Sequence, residues 1–164
     1  MRPVVTAIEG EYRRYKKLAE DAIAQVDDAQ MGQGWGVSNS ISTIMWHVGG
    51  NLASRFTDFL TSDGEKPWRD RESEFLPRTS RKDVMATWDK GWAALFTATE
   101  SLKDADLEKT VVIRTLKLSV IEALTRSLSH VSYHVGQIVY VAKGHKGDGW
   151  KYLRSRRASP PNST

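Results

Sequence analysis

Four long segments of this chain repeat their apolar residues every three or four positions, and that period points to a helical protein. The first runs from about residue 5 to 29, with Ile8, Tyr12, Tyr15, Ala19, Ala22, Ile23 and Val26 on one stripe. It ends near MGQGWG, whose glycines mark a loop. The second follows Ser38 or Ser40 as N-cap and carries Ile41, Ile44, Met45, Val48, Leu52, Phe56, Phe59 and Leu60. The third starts at Ser80, with Asp83 in its first turn, and continues through Val84, Trp88, Trp92, Leu95, Phe96 and Leu102. The fourth spans roughly 119–143 and closes at Lys143–Gly144, a basic last turn followed by glycine. Between the last two, KTVVIRTLKLS is β-rich and suits a short extended pair. Four apolar stripes bury one another most simply in an all-α four-helix bundle over residues 1–150, with 151–164 as a basic, flexible tail.

Composition narrows the chemistry. Apolar residues at 40% with six tryptophans argue for a packed core in a single domain. Cysteine is absent, which removes disulfides, thiolate metal sites and a cysteine nucleophile, so any metal falls to imidazole, carboxylate or water. The net charge of +4 hints at nucleic acid until it is located. Residues 143–164 carry six cations against Asp148 alone, a sum of +5, and the other 142 residues sum to −1. The body therefore offers no basic face, and no nucleic-acid partner is expected. The first twenty residues are charged throughout, and no apolar run approaches the roughly 18 residues of a membrane span, so the expected location is cytoplasmic.

The chain has four histidines, and two stand one turn apart in SLSHVSYHVGQIVYVAK. His130 and His134 share a helix face beside the stripe of Ile121, Leu124, Leu128, Val131, Val135 and Ile138. That spacing lets two imidazoles reach one ion, although such pairs also occur as structural or exposed histidines. The second helix adds His47, which starts a polar row with Asn51 and Arg55, Asp58 lying alongside. If the two edges face one another, three imidazoles converge, and three histidines with an open position are a catalytic zinc arrangement. Ni²⁺ and Fe²⁺ suit the same donors. His145 has no comparable partner. The loop SDGEKPWRDRESEFLPR is longer than a connector needs, which fits either a functional loop or a strap over one end of the bundle.

The stretches NSISTIMWHVGGNLASRFTDFLTSDGEKPWRDRESEF and SHVSYHVGQIVYVAKGHKGDGWKYL resemble the DinB-like (YfiT-like) metal-binding four-helix superfamily, in a branch of unknown function. The resemblance implies an up-down-up-down bundle, commonly a homodimer, with the metal on His47, His130 and His134. Characterised members of that superfamily include transferases acting on low-molecular-weight thiols and a mycothiol-dependent isomerase. One departure is visible: the branch closes with a segment like SIPRGKS after the tryptophan, where this chain has RSRRASPPNST.

The resulting expectation is metal-dependent transfer of a small thiol, since a bound ion can hold as thiolate the nucleophile this protein lacks. Asn51 and Arg55 are candidates to bind the substrate, with Lys66 and Arg69 of the long loop closing over its anion. Arg55 equally suits an intrahelical pair with Asp58 or Asn51, and Tyr133 and Gln137 lie near the histidine face. Metal-assisted hydrolysis needs a base, for which Glu122 and Asp58 are the candidates; a non-catalytic metal-binding or stress-response protein needs none. A homodimer is also expected because Trp46, Gly49 and Gly50 stand away from the main stripe of the second helix.

Overall fold

In the computed structural model, which describes residues 1–153, each helix begins and ends where its sequence satisfies the terminal backbone groups. Helix α1 (Pro3–Ile23) opens with proline in its first turn, and the Asp104 carboxylate accepts the free amides of Val4 and Val5 at 3.1 Å each. The apolar period expected to run on to residue 29 breaks after Ile23. Asp27 forms a capping box with Gln30 and starts a separate short helix, α2 (Asp28–Gly32). Ser40 caps α3 (Ile41–Phe56), accepting the Thr43 amide. That helix stops short of Leu60 because Thr57 is extended and Asp58 adopts φ +49, so Phe59 reaches the core from a turn.

Ser80 caps α4 (Arg81–Glu100) through the Asp83 amide, and a Ser119–Glu122 capping box starts α5 (Val120–Lys146). The last helix overruns Gly144 by most of a turn and ends at Gly147, whose φ of +51 a side chain would oppose. Gly144 has a different job: a Cβ there would stand 2.6 Å from the Trp35 indole, which lies against the helix.

The molecule is mostly helical, with one small sheet. Strands β1 (Thr110–Ile113) and β2 (Leu116–Ser119) pair antiparallel, Thr110 opposite Ser119 and Ile113 opposite Leu116. Their two-residue turn, Arg114–Thr115, has both residues at positive φ, a geometry that suits the twist of a hairpin. The strain is offset by Asp63, whose carboxylate accepts the Arg114 and Thr115 amides at 3.0 and 3.3 Å. Gly64 also donates to the Val112 carbonyl, so the long loop and the hairpin form one unit.

Helix α3 packs on α4 and α5, and α1 packs on α5. Trp88 and Trp92, both essentially inaccessible, meet edge to face at 5.3 Å with Tyr12 beside them, and the Tyr12 hydroxyl donates to the Leu124 carbonyl at 2.8 Å. Burial of each such ring contributes about 3 kcal/mol.

Gly49 and Gly91 let α3 and α4 touch backbone to backbone. A Cβ on Gly91 would lie 2.3 Å from the Gly49 carbonyl oxygen, and one on Gly49 would lie 2.5 Å from that of Thr87. This corrects the motive for a homodimer drawn from the second helix. Gly49 faces α4, Gly50 faces Glu74 of the same chain, and Trp46 is half-buried under the Arg78 guanidinium. Among the described residues no helix is long and apolar enough to cross a membrane. Of the expected tail, residues 151–164, only 151–153 are described, with the Lys151 backbone bonded to the Gln25 side chain; the rest and the departing segment RSRRASPPNST fall on residues 154–164, outside the described part.

Candidate metal centre

The capped start of α3 sets the phase that turns His47 toward α5, and the unbroken turns of α5 stack His130 over His134. The three rings meet. Nε2 of His130 lies 3.1 Å from Nε2 of His47 and 3.1 Å from Nε2 of His134, and one nitrogen from each ring falls within 4.8 Å of the others. Nitrogens bound at about 2.0–2.1 Å to a tetrahedral zinc stand about 3.3 Å apart, so the spacing fits a shared ion. The three histidines expected from the sequence are brought together, and they are placed to hold a metal.

The outer contacts fix which nitrogen carries the proton. His47 Nδ1 is 2.8 Å from a Glu74 oxygen, and a carboxylate can only accept, so the His47 proton sits on Nδ1. His134 Nδ1 donates in the same way to Gln137 Oε1 at 2.8 Å. Both rings therefore aim an Nε2 lone pair at the common point. Burial, and then the neighbouring His134 and His47, push the His130 pKa down to about 3, while burial lowers that of His134. Three imidazole nitrogens converging at this spacing are a donor set that suits a divalent cation. His130 Nδ1 is buried without a partner among the described residues.

Glu74 is a partner of His47 that helical periodicity could not reveal. It sits on a 3-10 turn, Ser73–Phe75, within the long loop. The loop folds back so that Arg69 binds the carboxylate through Nε at 2.7 Å and Nη2 at 2.9 Å. Side-chain exposure of 2% for Arg69 and 4% for Glu74 makes this a buried pair. Burial alone would raise the Glu74 pKa, but bonds from His47 and Arg69 outweigh it and hold the carboxyl ionised below its ordinary value. Phe75, the next residue, lies 4.8 Å from the His47 ring and covers it.

Beside the histidines opens a cavity of about 510 Å³. Asn51 and Arg55 line it, as their row with His47 suggested. Arg55 pairs with neither Asp58 nor Asn51: it donates to the Gly64 carbonyl and to Glu65, and Asp58 stands exposed beyond the helix. Lys66 and Arg69, expected to close over a substrate anion, are placed otherwise. The Lys66 ammonium donates to the Ser54 and Asp63 carbonyls, Arg69 holds Glu74, and neither lines the cavity. Glu122 caps α5 by accepting from Ser119. Gln137 orients His134 and in turn donates to the Tyr133 hydroxyl. His145 lies apart, donating to the Gln33 carbonyl against Trp35.

No curated protein and no solved structure matches the chain. Residues 2–159 match a family described as protein of unknown function (DUF1572), a span that takes in all five helices, the hairpin and the three histidines. The chain belongs to the DUF1572 family.

Proposed function

We propose that this protein is a DinB-like, divalent-metal-binding four-helix bundle that transfers a low-molecular-weight thiol to an electrophile. The observation that carries the reading is the set of three Nε2 atoms aimed at one point, two with their tautomers fixed by Glu74 and Gln137. A bound zinc, nickel or iron ion would lower the pKa of an approaching thiol and so supply the nucleophile that a chain without cysteine cannot. The protein's own part is to hold three imidazoles together, to cover His47 with Phe75, and to present Asn51 and Arg55 along the cavity wall.

Hydrolysis is the weaker alternative because, among the described residues, no carboxylate lines the cavity. Glu74 is engaged by His47 and Arg69, Glu122 caps a helix and Asp58 is exposed beyond the helix, so none of these candidates is placed as a general base for water. A homodimer belongs to the same proposal, without Gly49 and Gly50 as its contact face, and light scattering decides it. A metal-binding protein without turnover is the outcome left if the chemistry fails.

The test has two stages. Metal analysis of untagged protein should find one ion per chain, lost in His47→Ala, His130→Ala and His134→Ala but kept in His145→Ala. Metal-loaded protein is then given a chlorinated aromatic and a panel of cellular thiols. The S–C bond forms as the C–Cl bond breaks, chloride leaves with the bonding pair, and the thiol proton passes to solvent. Conjugation no faster than with His130→Ala across the panel overturns the transferase reading.

A further inference from the structure

The cavity beside the histidines has a charge pattern that the metal does not require. Four of its lining residues are arginines, Arg55, Arg71, Arg114 and Arg126, and none is a carboxylate. They come from three separate places: α3, the long loop and hairpin, and α5. The nearest counter-charge is Glu65, which stands outside the lining and is shared by Arg55 at 3.1 Å and Arg114 at 2.6 Å. Burial raises the Glu65 pKa less than Arg114, Arg55 and Arg69 lower it, so the carboxylate is fully ionised and already committed. Arg71 and Arg126 are exposed and have no carboxylate within 4 Å among the described residues.

Scattered surface arginines would mean little. Here they line one concave cavity together with apolar side chains, whose low dielectric strengthens their field. Phe56, Phe59 and Leu116 supply those apolar surfaces.

We propose that the cavity binds a small-molecule acid, with its carboxylate or phosphate held by Arg71 and Arg126 and its apolar stem against Phe59 and Leu116. The remaining end of the molecule then faces the three histidines. That orientation rests on the metal reading above, whereas the preference for an acid does not. Guanidinium forks match either anion in a bidentate way, so the shared chemistry is a planar or tetrahedral oxyanion on an apolar stem.

The test uses 3-phenylpropionate, phenyl phosphate and the neutral 3-phenylpropanamide, titrated calorimetrically into the full chain with and without zinc. The acids should bind about tenfold more tightly than the amide at low salt, and less so at about 0.15 M because the groups are partly exposed. The order of the two acids tells carboxylate from phosphate. Arg71→Gln and Arg126→Gln should each weaken the acids several-fold and leave the amide unchanged, and the double variant should abolish the preference. Both residues are exposed, so the unfolding midpoint and zinc content should stay at wild-type values. Equal binding of acid and amide by the wild-type protein, or an acid preference surviving the double variant, overturns the proposal. A chain that binds no zinc yet still prefers the acids would sink the metal reading and leave this one standing.

Discussion

Glu74 offers the sharpest test of how the site is built, because one carboxylate serves two buried partners. Glu74→Gln keeps the shape and removes the charge. The amide cannot satisfy both neighbours. If its oxygen turns to His47, its NH₂ meets the guanidinium of Arg69, donor against donor. If its NH₂ turns to His47, it donates to Nδ1, drives the ring proton onto Nε2 and removes a lone pair from the metal site. Either arrangement leaves Arg69, its side chain 2% exposed, with only Glu65 at 3.7 Å as counter-charge, and breaking a buried pair in this way costs about 3 kcal/mol. Loss of an outer-shell carboxylate should weaken zinc about 10- to 100-fold.

The two effects separate in a double variant. Glu74→Gln with Arg69→Met replaces the stranded charge by an apolar chain of similar reach, so stability should return to within about 1 kcal/mol of wild type. Zinc affinity should not return, because His47 still lacks an obligate acceptor. Urea unfolding of the metal-free proteins measures the first quantity, and competition against a chromophoric chelator measures the second. A single variant with wild-type midpoint and wild-type zinc affinity would refute the reasoning. Zinc affinity that recovers along with stability in the double variant would reduce Glu74 to scaffolding.

Three further outcomes are expected. Gly50→Ala places a Cβ 2.6 Å from Glu74 Oε1, so it should displace that carboxylate and lower zinc affinity about tenfold in the same competition assay, with no ligand removed. Gly91→Ala puts a Cβ 2.3 Å from the Gly49 carbonyl oxygen, backbone that cannot step aside; it should cost about 2–3 kcal/mol in urea despite alanine's better helix propensity. In the metal-free protein His130 stays neutral down to about pH 3 while the unfolded chain protonates near 6.5, so its contribution is complete above 6.5 and is lost as pH falls toward 3. Stability measured by urea at pH 7 and pH 4 should differ through this residue by about 3 kcal/mol, and His130→Gln should flatten that part of the profile.

The helices and the three histidines are legible in the sequence because periodicity carries them. Residues four apart on one helix share a face whatever surrounds it, so His130 and His134 announce a pair, and His47 stands at the head of a polar row. Tertiary contacts are less legible. Gly144 and Gly147 both follow a basic residue; the first lies against the indole of Trp35, and the second, at φ +51, ends the helix. Gly49 looks like an opening on the helix surface until α4 is known to fill it.

Glu74, 27 residues from His47, belongs to no repeat at all. Its one trace in the sequence is a loop too long for a connector, and that loop joins the site to the fold. Asp63 holds the strained hairpin turn, Glu65 gathers Arg55 and Arg114, and Glu74 sets the His47 tautomer from the same segment. Three carboxylates within twelve residues thus complement the cations and the imidazole that the helices and hairpin bring together. A chain with the same helices and a different loop would keep three histidines at the right spacing, but His47 could turn its proton toward its neighbours and Arg69's charge would have no buried partner. The apolar period decides where the ligands stand; the loop decides whether they can act as ligands.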